Sequence, residues 1–517
     1  MLPLAFNNQF TACLPGDAET GPRRRLVKDA LFSRVQPTPV RAPKLLHASR
    51  ALAQTLGLSE ADCQSEDFLQ IFAGNQVMPG MDPHAGCYGG HQFGNWAGQL
   101  GDGRAINLGE VELSQGHLML QLKGAGETPY SRTADGLAVL RSSLREYVCS
   151  EAMFHLGIPT TRALSLIVTG EAVVRDMLYD GNAAPEPGAV VCRASSSFVR
   201  FGHFQMLAAR GEEHLLGQFT DFIIRTEFPA LTSIADQRER TLAWFSEVCD
   251  RTAKLMVHWM RVGFVHGVMN TDNMSILGET IDYGPYGWLE NFDPAWTPNT
   301  TDAGQRRYRY GQQPAVAQWN LMQLANAILP LVQDPKPLED ALSHFVTVYE
   351  QQWQQMMASK LGLLVPRPEL VERLLKLMAE TETDMTILYR KLADIDQPHE
   401  LAALGPALYQ PEALEGKFAE GVSKWLRDYL SEAEHQGQGA SQRKQLMNRT
   451  NPLYVPRNYL AQLAIDDAEQ GDCSRLQRWM QLLQSPYEEQ EDAEEFAAKR
   501  PEWARHRAGC SMLSCSS

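Results

Sequence analysis

The chain of 517 residues is long enough for roughly two to four packed units, because single hydrophobic cores stop growing well below this length. Its hydrophobic fraction of 44% and charged fraction of 21% are ordinary for a globular enzyme. The formal net charge of -15 argues against a nucleic-acid-binding protein, whose surface would carry a basic patch.

Targeting and cysteine patterns predict a cytoplasmic protein that does not insert into a membrane. No apolar run approaches the ~18 residues needed to span a bilayer, and Met1 to Gln9 lacks the basic and apolar parts of a secretory signal. Nine cysteines extend from Cys13 to Cys515 without a C-x-x-C pair. This spread fits a reducing compartment, and it indicates neither a zinc site nor a disulfide framework.

The first part of the chain predicts strands with few helices. Residues 1–85 are expected to form an N-terminal extension with one helix, around Lys44 to Leu56. After a glycine-dense segment at 88–104, leucines alternate with other residues over His117 to Lys123, which predicts a strand with one packed face. A helix is predicted from about Asp135, as its N-cap, to Leu156.

The second part predicts mostly helices, from Asp221 onward. Before it, strands are predicted over Ala163 to Val168 and Ala189 to Arg193. Later segments predict three helices and one exposed loop: Val316 to Gln333, Leu338 to Leu361, Pro368 to Leu392, and the loop Glu434 to Gln442. The sequence therefore predicts an α+β protein with a strand-rich lobe over 86–220, a helical lobe over 221–430 and a C-terminal helical extension and tail over 431–517.

Lys123 ends the predicted strand on the side opposite its leucines, where its ammonium group would enter a cleft. A lone lysine at such a place is more often a solvated edge residue. The following helix, however, carries Glu146 on a face of small residues, and a carboxylate packed against a sheet needs a charged partner. Protein kinases use a strand lysine held by a helix glutamate to orient the lysine onto ATP phosphates.

Residues 266–284 contain a second set of groups with kinase-like spacing. His266 and Asn273 match the His and Asn of the kinase pattern H-R-D-x-x-x-x-N, and Asp282-Tyr283-Gly284 matches D-F-G. Asn and Asp side chains supply the oxygen ligands that suit Mg²⁺, whose other ligands come from phosphates and water. The order Lys, Glu, Asn, Asp predicts a core that binds ATP and a divalent metal.

Val268 stands where a kinase carries its catalytic Asp, and valine cannot accept a proton. Asp272, four residues later, is adjacent to the predicted metal ligand. Two interpretations remain open at this point: a silent pseudokinase, or a chemistry other than γ-phosphoryl transfer. We interpret His266 as a hydrogen-bonded core histidine.

Two further groups have both a functional and an ordinary interpretation. The glycines of Gly98-Gln-Leu-Gly101-Asp-Gly103-Arg104 could let backbone N–H groups approach phosphates. They match neither the kinase glycine loop nor a Walker A loop, so a plain turn is the more common explanation. Arg193 and Arg200 could clamp a phosphate or form surface ion pairs, and their spacing does not separate the two.

Taken together, these motifs resemble those of the selenoprotein O (SelO) family of protein adenylyltransferases. The resemblance covers most of the chain and rests on long, unusual strings. They are YGGHQFGNWAGQLGDGRA (88–105), QLKGAGETPYSRTADGLAVLRSS (121–143), CRASSSFVRFGHF (192–204), HGVMNTDNMSILGETIDYGPYG (266–287) and the terminal Ser514-Cys515-Ser516-Ser517.

The resemblance implies a protein-kinase-like bilobal fold that binds ATP in a flipped orientation. AMP would then pass to Ser, Thr or Tyr hydroxyls of proteins, and pyrophosphate would be released. It also implies that Asp272 is the catalytic base and that Asn273 and Asp282 hold Mg²⁺ or Mn²⁺. The positions that match the family's nucleotide contacts are Gly101, Gly103, Arg104, Lys123, Asp135, Gly136, Arg193, Arg200 and Asp282. Arg193 and Arg200 would hold the phosphates that leave.

The cysteines depart from the family pattern. In eukaryotic relatives the position of Cys515 is a selenocysteine, and in some relatives the terminal cysteine is thought to pair with a cysteine that follows the metal-binding Asp. Residues 283–320 contain no cysteine here, which argues against regulation through that bridge. Only a local bond between Cys510 and Cys515 is left to consider.

Three functional hypotheses follow. The first is a protein adenylyltransferase that uses ATP, a divalent metal and protein acceptors, acts as a monomer and binds neither nucleic acid nor membrane. The second is a conventional protein kinase, which Val268 disfavours. The third is a catalytically silent ATP-binding scaffold.

Overall fold

The structure, a computed structural model, describes residues 2–514 and shows a mixed α/β protein. Its strands are β1 (Phe32–Arg34), β2 (Lys44–Ala48), β3 (His84–Gly86), β4 (Gly89–Gln92), β5 (Asn95–Gln99), β6 (Ala105–Glu112), β7 (His117–Lys123), β8 (Ala138–Val139), β9 (Arg162–Arg175), β10 (Ala184–Ser195), β11 (Phe264–Val265) and β12 (Gly287–Trp288).

The helices alternate with these strands early in the chain and dominate after β10. They are α1 (Gln9–Cys13), α2 (Arg50–Thr55), α3 (Glu60–Cys63), α4 (Glu66–Phe72), α5 (Leu140–His155), α6 (Phe201–Arg210), α7 (Glu213–Glu227), α8 (Gln237–Val262), α9 (Gln313–Val332), α10 (Pro335–Lys360), α11 (Pro368–Glu380), α12 (Met385–Leu392), α13 (Lys417–His435), α14 (Ala440–Thr450), α15 (Asn458–Glu469), α16 (Ser474–Leu482) and α17 (Glu494–Ala497).

An eight-stranded antiparallel sheet positions the first half of the site. Its order is β1-β3-β6-β7-β10-β9-β2, and β8 pairs with β10. The predicted strand 117–123 is confirmed as β7, in the middle of this sheet, because Leu120 and Leu122 are fully buried against α4 and its neighbours. Lys123 lies opposite Val191 of β10 and Ala105 of β6, so its position is fixed from both sides.

Helices cover both faces of this sheet. On one face, Phe68 and Phe72 of α4 join the leucines of β7 in one apolar cluster. On the other face, Leu144 of α5 packs with residues from the C-terminal helices, among them Leu460 and Trp479. The last part of the chain therefore returns to support α5, the helix that carries Glu146.

Two predicted elements near the sheet were wrong in type or extent. Lys44 to Leu56 is not one helix, since Lys44–Ala48 forms an edge strand that pairs with β9 before Ser49 caps the short helix α2. Tertiary pairing here overrides the local helical pattern. The helix predicted from Asp135 begins only at Leu140, because Ala138 and Val139 first pair with β10.

The helices predicted in the second half of the chain agree more closely with the structure. The expected helices 316–333 and 338–361 are confirmed as α9 and α10. The segment 368–392 is two helices, α11 and α12, because Thr383 pairs with Leu408 and Asp384 caps the new helix. Only residues 436–439 of the predicted loop 434–442 lie outside helices. Within residues 2–514, no helix combines the length and the apolar character that crossing a membrane requires.

Candidate active site

A cleft of about 720 Å³ gathers nearly all of the predicted site residues. The ends of β7 and β10, the loop 130–137 and the segments 268–273 and 282–285 border it, and its size is that of a typical ligand pocket. Glu146 alone among the predicted residues does not line it. The predicted residues that do are Gly101, Gly103, Arg104, Lys123, Asp135, Gly136, Arg193, Arg200, Asp272, Asn273 and Asp282.

Lys123 is held between two carboxylates. Its Nζ lies 2.7 Å from Oε2 of Glu146 and 2.8 Å from Oδ1 of Asp282, and only 7% of the lysine is exposed. The other oxygen of Glu146 accepts a hydrogen bond from Arg193 at 3.0 Å. Glu146 thus orients two cations at once from outside the cleft, while Asp282 reaches Lys123 from inside it.

The cations around Asp282 keep this carboxyl ionised. Burial alone would raise the pKa of Asp282, but Lys123, Arg200 and Arg193 outweigh it and hold the pKa well below its usual range. Oδ1 of Asp282 faces Lys123, with Arg193 at 3.6 Å. No residue among 2–514 donates a hydrogen bond to Oδ2, so this oxygen is free to bind a ligand.

Arg193 and Arg200 are not surface residues. They are 2% and 5% exposed, which excludes the interpretation as surface ion pairs. Arg193 also donates to the carbonyl of Ile281, and Arg200 donates to the carbonyl of Asp272 at 2.8 Å. The Nε atom of each has no partner in the described chain. Both guanidinium groups therefore brace the segments that carry Asp272 and Asp282, and both line the cleft.

Asp272 is a buried carboxyl with an incomplete set of hydrogen bonds. It lies in a short turn, Thr271–Asn273, where Gln92 of β4 donates to its Oδ2 at 3.1 Å. Its Oδ1 has no partner among the described residues. Burial raises the pKa of Asp272 to about 6. A Cβ atom at Gly90 would lie 2.7 Å from Oδ1, so glycine is required there for β4 to approach the carboxyl.

Asn273 and Val268 are joined by a hydrogen bond. Nδ2 of Asn273 donates to the carbonyl of Val268 at 2.9 Å, and its Oδ1 accepts nothing from residues 2–514. Val268 borders the cleft, and its backbone N–H donates to Nδ1 of the buried His266. Burial lowers the pKa of His266 to about 4. The 1% exposure of His266 and its bond from Val268 agree with its interpretation as a hydrogen-bonded core histidine.

The donor set suits a hard divalent cation that is completed by phosphates. Asn273 Oδ1 and Asp282 Oδ2 accept no hydrogen bond from residues 2–514, and oxygen ligands of these types are preferred by Mg²⁺ and Mn²⁺. Nowhere in residues 2–514 do three His, Cys, Asp or Glu side chains meet in a metal-binding group. A metal held by these two residues would therefore take its other ligands from a substrate and water.

The glycine-rich wall of the cleft owes its shape to close backbone contacts. Gly101 has φ +83°, and a Cβ atom there would lie 2.4 Å from the ring of Tyr130. Gly136 has φ +72° and lies against the carbonyl of Gly126. Gly98 lies within β5, so the expectation of a plain turn is wrong for it. Gly101 and Gly103 lie outside regular elements, between β5 and β6, and border the cleft.

Two polar side chains on this wall differ in their partners. Asp135 pairs with Arg175 at 2.7 Å and accepts a hydrogen bond from the backbone of Leu137. Arg104 forms no ion pair or hydrogen bond through its side chain with residues 2–514. Its guanidinium group is therefore available to an anionic ligand in the cleft.

Sequence reasoning missed several residues that hold the site in place. Asp102 accepts hydrogen bonds from Gly86 N at 2.9 Å and from the hydroxyl of Tyr88 at 3.2 Å, and it lies 3.9 Å from Arg200. Asn270 accepts hydrogen bonds from Phe93 N and from the hydroxyl of Tyr308. No spacing rule links residues so distant in sequence, although the glycine-dense segment 88–104 marked their location.

None of the cysteines within residues 2–514 lines the cleft. Cys510 is buried, and burial raises the pKa of its thiol to about 11. No disulfide forms among the cysteines of residues 2–514. Cys515, and with it the considered Cys510–Cys515 bond, lies outside the described residues.

Whole-length relatives of this chain are nucleotidyltransferases by name. A protein nucleotidyltransferase YdiU of Azoarcus sp. (strain BH72) is 55% identical over 521 residues and covers 100% of both chains. Its namesake in Rhodopirellula baltica is 55% identical with 99% coverage of each chain, and that of Flavobacterium johnsoniae is 52% identical with 100% coverage.

These relationships define the class of the protein, which is a nucleotidyltransferase enzyme. The chain belongs to the SelO family, whose family model, described as protein adenylyltransferase SelO, matches residues 18–484.

Proposed function

We propose that this protein transfers AMP from ATP to Ser, Thr or Tyr hydroxyls of other proteins and releases pyrophosphate. The observation that carries the proposal is that valine replaces the kinase catalytic Asp at position 268, while a carboxyl group, Asp272, follows four residues later. Val268 stands at the sequence position of the kinase catalytic Asp and borders the cleft, while Asp272, beside Asn273, also lines the cleft and carries one buried oxygen without a partner within residues 2–514. A site with these residues keeps the nucleotide-binding groups of a kinase, but its catalytic base is at a different position in the sequence.

The proposed reaction is a displacement at the α-phosphorus. The acceptor hydroxyl oxygen attacks the α-phosphorus, and its proton passes to Asp272. The bond between the α-phosphorus and the bridging oxygen then breaks, and pyrophosphate leaves. ATP lies in the flipped orientation, with its α-phosphate toward Asp272, and Lys123, Arg193 and Arg200 balance the charge of the phosphates.

Asn273 and Asp282 are the proposed ligands of Mg²⁺ or Mn²⁺. Such an ion supplies charge neutralisation and orientation of the phosphates when it is bound. Asp282 contributes a carboxylate that three cations keep ionised, and Asn273 contributes an amide oxygen that accepts no hydrogen bond from the described part of the chain. Gly101, Gly103, Arg104, Asp135 and Gly136 complete the proposed nucleotide contacts on the glycine-rich wall of the cleft.

The arrangement around the cleft supports a protein-kinase-like bilobal fold. In this proposal the sheet with α5 is the strand-rich lobe and the helices after β10 form the helical lobe. The edge strands β1 and β2 come from the first 85 residues and belong to the same sheet as β7. The domain boundaries, the monomeric state and the cytoplasmic location remain predictions from the sequence.

Glu146→Gln is expected to reduce turnover about 10²-fold, since loosening the geometry of positioned groups has effects of this size. Glutamine would weaken the contacts with both Lys123 and Arg193. Glu151→Gln in the same helix is a matched control, because Glu151 is as buried as Glu146 and pairs with Arg162 away from the cleft. Measuring kcat and KM for ATP separates the two variants, and equal turnover losses in both would contradict the positioning role.

The reaction type is tested with ATP labelled at either the α- or the γ-phosphate. The proposal predicts that a protein acceptor gains α-label and no γ-label in the presence of Mg²⁺ or Mn²⁺. Transfer of γ-label would identify a conventional kinase. No transfer of either label, with nucleotide binding intact, would identify a silent scaffold.

A further inference from the structure

A basic and aromatic surface lies beside the cleft, on the side of Asp272. We name it the arginine–tryptophan surface. It comprises His91, Trp96, Arg307 and Trp319, together with Arg306 and Arg309, which lie next to Arg307 along the chain. The ring of His91 lies 5.2 Å from that of Trp96 and 5.6 Å from that of Trp319. The guanidinium group of Arg307 lies 4.7 Å from the ring of Trp319.

Hydrogen bonds connect this surface and the adjoining Tyr308 to the two residues that precede Asp272. His91 N donates to Oγ1 of Thr271 at 2.7 Å, and Tyr308 donates its hydroxyl to Asn270 at 2.6 Å. Gln92, the neighbour of His91, bonds Asp272 itself. A chain segment lying on the surface would therefore reach the carboxyl that we propose as the base.

The three arginines of the surface have few acidic neighbours within residues 2–514. None of them forms an ion pair with a carboxylate of residues 2–514, and Arg309 instead donates to the carbonyl of Arg306 and to Gln312. The nearby carboxylate of Asp302 accepts from the backbone N–H groups of Arg307 and Tyr308. The Nε atom of Arg307 is buried and has no hydrogen-bond partner among the described residues. Burial raises the pKa of Asp302 and Arg307 acts to lower it, so the charges of Arg307 and Asp302 interact, whereas Arg306 and Arg309 have no carboxylate partner within residues 2–514. This local positive charge contrasts with the net charge of -15 of the whole chain.

We propose that the arginine–tryptophan surface binds an acidic, extended segment of the acceptor protein and thereby presents its hydroxyl to Asp272. Guanidinium groups pair with carboxylates through two parallel hydrogen bonds, and Trp96, which is 39% exposed, offers an apolar contact beside them. A nucleic acid would require a longer basic track to follow its phosphates. The inference rests on the proposed adenylyl transfer and adds to it the chemical class of the acceptor.

The test compares two synthetic peptides that carry one acceptor serine, flanked either by glutamates or by lysines. We expect the wild-type protein to use the glutamate peptide with a kcat/KM about tenfold higher, through a lower KM. Arg306→Glu/Arg309→Glu should lose or reverse this preference. Thermal stabilisation by a non-hydrolysable ATP analogue, which does not depend on the acceptor, shows that the variant is folded and binds nucleotide.

A double charge reversal on α13, Lys424→Glu/Arg427→Glu, is the matched control. Both residues are exposed, form no ion pair within residues 2–514, and lie on a helix that packs on α11. This control should keep the wild-type preference. Equal use of both peptides by the wild-type protein, or the same change in both double variants, would overturn the inference while leaving adenylyl transfer intact.

Two further outcomes would also overturn it. If RNA or anionic lipid vesicles bind in a manner that needs Arg306 and Arg309, while the peptides show no charge preference, the surface serves another partner. If the wild-type protein transfers AMP to no acceptor at all, the proposed function fails and the inference fails with it. The α-labelled ATP assay distinguishes this last case from a loss of peptide preference.

Discussion

Asp272→Asn is expected to reduce adenylyl transfer by about 10² to 10⁴-fold, the range for loss of a general base. Asparagine has nearly the shape of aspartate and can still accept the hydrogen bond from Gln92, but it cannot take up the proton of the acceptor hydroxyl. The backbone contact from Arg200 to residue 272 does not involve the side chain. Nucleotide binding should therefore remain.

The measurement is initial-rate transfer of α-label to an acceptor protein, together with the thermal shift caused by ATP and Mn²⁺. Asp428→Asn, an exposed residue of α13 that pairs with Arg373, controls for the loss of one negative charge. Retention of full activity in Asp272→Asn would rule out Asp272 as the base. Loss of the ATP-induced shift along with activity would instead assign the residue to binding.

Arg457→Met is expected to destabilise the protein by about 3–5 kcal/mol, the cost of removing one partner of a buried ion pair. Arg457 and Asp384 are 1% and 0% exposed in their side chains, and their closest atoms lie 2.7 Å apart. Asp384 also caps α12 by accepting from Ile387 N, while Arg457 immediately precedes α15. The pair thus joins the start of α15 to the start of α12. Methionine at position 457 would leave the carboxylate of Asp384 buried with its charge unbalanced.

Arg443→Met is the matched comparison. Arg443 is as deeply buried as Arg457, but its carboxylate partner Asp396 is 55% exposed in its side chain and remains hydrated when the arginine is removed. Chemical denaturation followed by circular dichroism should show the larger loss for Arg457→Met. A loss no greater than that of Arg443→Met would contradict the account of this ion pair, and Arg457→Met/Asp384→Asn should recover part of the stability.

The sequence was most informative where one short segment carries both the pattern and the chemistry. The alternating leucines alone predict β7, and the same alternation predicts that Lys123, at its end, lies on the face opposite the leucines. The spacing of Asn273 and Asp282 predicted that both line one cleft. They do so because the turn Thr271–Asn273 and the segment around Asp282 both border it.

Long-range contacts could not be predicted in the same way. The edge strand 44–48 depends on pairing with β9 more than 100 residues later, and its local pattern resembles a helix. Likewise, Gln92 reaches Asp272 across 180 residues, and no local property of either residue indicates the contact. The burial of Arg193 and Arg200 is also a tertiary property, set by carboxylates and carbonyls supplied by α5 and by residues 272–282.

The measurement that tests the central claim most directly is the intact mass of an acceptor protein after incubation with this enzyme, unlabelled ATP and Mn²⁺. We predict a mass increase of one adenylyl group per modified hydroxyl, its absence with Asp272→Asn, and release of pyrophosphate in equal amount. A mass increase of one phosphoryl group, or an adenylyl increase that persists undiminished in Asp272→Asn, would contradict a site that transfers AMP with Asp272 as the base for the acceptor hydroxyl.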